Sequence, residues 1–122
     1  MKDLKILREA YIYGNHIKLC YMIKCNEQRQ DFTSLSRDVF PSLVKEEIEE
    51  IFKEKLNDIA TVKEFWNGIK IETQCNKDKE SIKQKHNQVI QVLKDVFSEL
   101  EKKEKERNLS SWLWRKKTFK LN

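Results

Sequence analysis

The sequence predicts an all-α fold, a small bundle of about four helices with a long, partly projecting C-terminal helix. Three observations point there. Glycine and proline are scarce, two and one in 122 residues, which disfavours a turn-rich β fold. Apolar residues recur at three- and four-residue steps along most of the chain. Thr61-Val62-Lys63-Glu64 has the form of a capping box, with the threonine hydroxyl and the glutamate carboxylate each reaching the other's backbone N–H.

The first predicted helix spans residues 3–25. Leu4, Leu7, Ala10, Tyr11, Ile17, Cys20 and Tyr21 form its stripe, and Ile6, Ile12, Tyr13 and Ile23 broaden it. A competing pattern lies inside it. Tyr11-Ile12-Tyr13, then Gly14-Asn15, then His16-Ile17-Lys18-Leu19 fits a β-hairpin with a two-residue turn. Helix is preferred over 11–19 because no other segment offers itself as a strand, and a lone hairpin is marginal. Residues 26–33 are mostly polar and read as a loop, with a short helical turn at 34–40.

Pro41 suits the first turn of a second helix, 41–59, because its missing N–H has no partner there anyway. Val44, Ile48, Ile51, Phe52, Leu56 and Ile59 form its stripe, with Leu43 at the edge. Glu46, Glu47, Glu49 and Glu50 lie in its earlier half, where the helix dipole favours negative charge. A third helix, 62–75, follows the Thr61 cap and buries Val62, Phe65, Trp66 and Ile69. Gly68 weakens it by about 1 kcal/mol relative to alanine. Asn76 and Asp78 offer caps for the last helix, 79–109.

In that last helix Ile82, His86, Val89, Leu93, Val96 and Leu100 follow a 4-3-4-3-4 spacing, a coiled-coil seam of nearly three heptads. Ile90, Val92 and Phe97 widen it. Such a face suits core packing, and it also suits another protein or a second copy of the chain. Val89, Leu93, Val96 and Leu100 are therefore candidate partner-binding residues. Beyond Leu100 the seam positions become Lys103 and Arg107, and Glu101 pairs with Lys105 at i, i+4, as in a helix projecting into solvent.

The domain division follows: residues 1–109 form a helical domain and residues 110–122 a basic aromatic tail. Trp112 and Trp114 join the candidate partner contacts. Arg115, Lys116, Lys117 and Lys120 place four cations and no acid in the last eight residues. Without those four, a formal net charge of +5 falls to +1 for residues 1–114. Tryptophans beside such a cluster can stack on bases while the cations meet phosphate.

Composition and motifs exclude other classes. The chain is 39% apolar and 37% charged, enough for a core and far from the composition of a disordered segment. No stretch approaches the roughly 18 apolar residues of a membrane span, and the charged start, Met1-Lys2-Asp3-Leu4-Lys5, does not suit a secretory leader. Cys20, Cys25 and Cys75 are odd in number and include no Cys-x-x-Cys pair. His16 and Cys20, four apart, would be half a metal site on a helix, but no second ligand pair accompanies them. Glu46 and Glu50 lack the histidine three residues on that a di-metal bundle site needs. There is no glycine-rich phosphate loop, Gly-x-Ser-x-Gly or His-Glu-x-x-His motif.

No catalytic residue, metal or cofactor is therefore expected, and the chain does not read as an enzyme. The expectation is a non-catalytic helical protein–protein interaction module or assembly subunit inside the cell, cytoplasmic or nuclear, whose partner is another protein or a second copy. The alternative is a small nucleic-acid-binding protein that uses the C-terminal cations.

Overall fold

The computed structural model describes the backbone of residues 4–25, 31–65 and 68–121, and the side chains of residues 6–23, 31–65 and 68–108. It is an α+β fold, which corrects the all-α expectation. Two antiparallel hairpins form one four-stranded sheet in the order β1-β2-β4-β3. The strands are β1 Leu4–Tyr13, β2 His16–Cys25, β3 Thr61–Phe65 and β4 Gly68–Asn76. Helix α1, Phe32–Ser34, runs into a π-type turn at Leu35–Val39, followed by α2 Lys45–Leu56 and α3 Lys79–Leu121.

The hairpin weighed against helix over 11–19 is the observed structure. Tyr13 pairs with His16 across a two-residue loop. Gly14 has φ +58 and Asn15 does not share it, as in a type II′ turn, which matches the twist of the flanking strands. The hairpin is not alone because residues 61–76, of which 62–75 are predicted as a helix, supply a second one. β4 docks antiparallel on β2, so Ile17, Leu19, Tyr21 and Ile23 face Cys75, Thr73, Ile71 and Ile69 in register. In β4 these residues alternate with Lys70, Glu72 and Gln74, and in β2 they occupy every second position, the period of a half-buried strand rather than of a helix.

The Thr61 motif is capping-like only in sequence. The Glu64 carboxylate accepts the Phe32 N–H at 3.1 Å and pairs with Lys45 at 3.3 Å, tying β3 to α1 and α2. Helix α2 is shorter than the predicted 41–59, with Pro41 in a turn before it rather than in its first turn. Ile48, Ile51, Phe52 and Leu56 of α2 are buried. Val44, assigned to its stripe, is instead exposed and precedes the helix, its N–H donating to Glu47 at 3.2 Å. Asp78 caps α3, accepting the Ser81 N–H and hydroxyl, both at 2.8 Å.

Among the described residues the helices pack on one face of the sheet. Phe32 and Phe97 both meet Phe52 edge-on, at 5.3 and 5.7 Å between centroids, inside a core shared by β2, β4, α2 and α3. The Thr73 hydroxyl donates to the Ile59 carbonyl at 2.7 Å, fastening β4 to the loop after α2. Farther along α3, Glu104 accepts the Ser42 N–H at 3.0 Å and Arg107 forks onto Glu47. The helix then continues without a break through residue 109 to Leu121.

Candidate functional site

The predicted seam residues are the first to place. Val89, Leu93, Val96 and Leu100 are fully buried against the sheet and α2, so their surface belongs to the core of this chain. The coiled-coil expectation is corrected with them: the heptad spacing faces a sheet and a short helix rather than a parallel partner helix. His86, the polar member of that seam, accepts or donates a 3.0 Å hydrogen bond between Nδ1 and the Tyr21 hydroxyl. The two rings also stack, 5.7 Å between centroids. Burial, then the nearby Arg8 charge, lowers the His86 pKa. Burial likewise pushes the Tyr21 phenol up, more than Arg8 lowers it. The pair satisfies two polar groups at the edge of the core.

Trp112, Trp114, Arg115, Lys116, Lys117 and Lys120 have helical backbone, and their side chains lie outside the described residues. Among the described residues no group of three His, Cys, Asp or Glu side chains could hold a metal, and no helix is long and apolar enough to cross a membrane. His16 and Cys20 lie on one strand rather than on a helix. Burial raises the Cys20 thiol pKa, and does the same at Cys75, which disfavours the reactive thiolate in both.

The surface left open by the fold is on the other side and at one edge. The face of the sheet away from the helices carries Lys18, Lys63 and Lys70 around Glu72, at 3.4, 3.2 and 3.8 Å. Burial pushes the Glu72 carboxyl up, and Lys63 and Lys18 more than offset it, leaving its pKa below the ordinary value. Phe65 lies under Lys70, 5.4 Å from ring centroid to Nζ. Tyr11 and Tyr13 of β1 extend the same face, and the Tyr11 hydroxyl donates to Glu9. No protein-family model, no curated protein and no solved structure matches this chain.

The edge is β1. It is ten residues long and among the described residues pairs only with β2, whereas the opposite edge strand, β3, has five residues and lies against α2. Ile6, Leu7, Tyr11, Ile12 and Tyr13 are 38–65% exposed. They occupy both faces: Ile6, Arg8, Ala10 and Ile12 lie on the helix side of the sheet, and Leu7, Glu9, Tyr11 and Tyr13 on the open side. Sequence reasoning took these residues as one broad helical face. The signal that separates them is the absence of any period in β1, next to the two-residue spacing of Ile17, Leu19, Tyr21 and Ile23 in β2.

Proposed function

We propose that the chain is a non-catalytic protein-interaction module whose docking element is the β1 edge, in place of the α3 seam. One observation carries this. A ten-residue edge strand exposes apolar side chains on both faces. Folded proteins ordinarily blunt long edges with charge, proline, bulges or a covering element, because the free N–H and C=O groups template pairing with another chain. Here the charges of the strand are Lys5 near its start and Arg8 and Glu9 side by side in the middle, and residues 10–13 carry none. An incoming strand would gain backbone hydrogen bonds and cover Ile6, Leu7, Ile12 and Tyr13.

The test compares the full chain with the double variant Leu7→Lys, Ile12→Lys, both immobilised and exposed to an extract of the native source. Both sites are exposed, so the variant should keep its fold by circular dichroism. A protein identified on the wild-type chain is then purified and titrated. At least about tenfold weaker binding to the variant, or about 1.4 kcal/mol, is expected. Equal binding to both would remove β1 from the docking surface.

Nucleic-acid binding is the second reading, favoured by the open sheet face with Tyr11, Tyr13 and Phe65 near three lysines. Aromatic rings on a sheet can stack bases while ammonium groups meet phosphate. It ranks second because Glu72 engages all three ammoniums and Glu9 adds a second carboxylate. Salt-sensitive binding of a single-stranded oligonucleotide, lost in Lys18→Ala with Lys63→Ala, would reverse that order.

A further inference from the structure

We infer that the occupant of the β1 edge is a second copy of this chain, paired antiparallel through β1 about a twofold axis at Ala10. This rests on the docking role given to β1 above and adds the partner and its register.

The hairpin fixes which backbone groups are free. A two-residue loop makes the flanking Tyr13–His16 pair a hydrogen-bonded one, and the ladder alternates from there. Tyr13, Tyr11, Glu9 and Leu7 therefore bond to β2. Ile12, Ala10, Arg8 and Ile6 turn their N–H and C=O groups off the edge. A twofold perpendicular to the sheet joins two such edges antiparallel and keeps both helical layers on the same side.

Charge then chooses among the registers. A twofold at Glu9 sets Glu9 against itself, and one at Arg8 sets Arg8 against itself; like charges directly opposite are destabilising. A twofold at Leu7 leaves Ile12 and Tyr13 uncovered, the two most exposed of the large apolar residues on β1. At Ala10 the axis falls on a methyl side chain whose backbone groups are free. Glu9 comes opposite the second copy's Tyr11, whose hydroxyl already seeks that carboxylate within its own strand. Leu7 comes opposite Tyr13, and Arg8 opposite Ile12. Seven residues of each strand overlap, and the product is one continuous eight-stranded sheet.

The two β2 strands would stand about 14 Å apart, three strand spacings. The helix-side groups of the paired edges, Ile6, Ala10 and Ile12 from both copies, would lie between them. Surfaces that one chain leaves bare on both faces of β1 are then covered by cross-strand neighbours.

Sedimentation velocity on the full chain should show a concentration-dependent shift from 14.8 kDa to twice that mass. Ile12→Lys sets a cation opposite Arg8 at two places per dimer and should weaken association about tenfold or more. Ile12→Glu sets an anion there instead and should associate more tightly than Ile12→Lys. A purely hydrophobic contact would lose equally from either change, so equal loss overturns the register. Mild oxidation in a Cys25→Ser background reads the axis directly. Ala10→Cys should give a disulfide-linked dimer on a non-reducing gel, and Leu7→Cys should not. Cross-linking at Leu7 but not at Ala10 overturns the proposal. So does a wild-type chain that stays monomeric at every concentration, an outcome that leaves the extract experiment free to show β1 docking a different protein.

Discussion

Tyr21 on β2 and His86 on α3 meet across the sheet–helix interface, phenol oxygen to Nδ1 at 3.0 Å. This contact explains a histidine in an otherwise apolar helix seam, and it carries a pH dependence. Burial, and then Arg8, hold the imidazole below its ordinary value of 6.5 in the fold. The unfolded chain therefore takes up the proton first. The stability tied to His86 is complete above the unfolded value and is lost as pH falls through the folded one. Thermal melts of the wild type should lose more stability between about pH 7 and 5 than melts of His86→Gln. Parallel slopes would assign the loss to carboxylates alone.

The sequence carried the helices better than the sheet, for a physical reason. α2 and α3 display a stripe of Ile, Leu, Val and Phe against lysine and glutamate, and Asp78 caps α3 as expected. The strands hide theirs. β1 carries apolar residues on both faces, and no described element covers it, so its spacing mimics a wide helical stripe. In β2, Cys20 is fully buried on the open side of the sheet, which blurs the alternation of Ile17, Leu19, Tyr21 and Ile23. The Gly14-Asn15 turn is visible in the sequence, but its hairpin lacks a partner once the Thr61 motif is taken to start a helix over 62–75. That motif is four residues long and non-specific, whereas Ile69, Ile71, Thr73 and Cys75 alternate over seven. The exposed β1 edge is illegible for the same cause: its exposure is a property of the sheet order, which only the long-range β2–β4 pairing sets.

Leu93 sits in the core shared by α3, α2 and the sheet. Leu93→Ala should cost about 2–5 kcal/mol in urea unfolding, from lost burial and the cavity left behind. The same variant should keep the wild-type association constant at temperatures where it is folded. Weakened association without lost stability would return the seam to the interface.

Glu72 balances three ammoniums on the open face, and its side chain is only 14% exposed. Glu72→Gln leaves Lys18, Lys63 and Lys70 facing one another. The expected cost is about 1 kcal/mol in dilute buffer, shrinking toward zero near 1 M salt as screening shortens the range of repulsion. A penalty independent of salt would mean that packing, rather than charge, is what Glu72 contributes.

Gly14 and Gly68 both hold positive φ, +58 and +150, but in different surroundings. A Cβ built on Gly14 meets nothing within 4 Å, so Gly14→Ala should cost the backbone strain of a positive φ alone, about 1–3 kcal/mol. A Cβ on Gly68 lies 3.4 Å from the Ile23 carbonyl, at the point where β4 joins β2. There φ +150 is a conformation left almost entirely to glycine. Gly68→Ala should therefore be the more damaging of the two in chemical denaturation. The turns also differ in what depends on them. Gly14 sets the β1–β2 register and with it which N–H and C=O groups leave the edge. Gly14→Ala should consequently weaken self-association beyond its effect on melting temperature, whereas Gly68→Ala, on the far side of β2, should lower stability and leave the association of the folded chain unchanged.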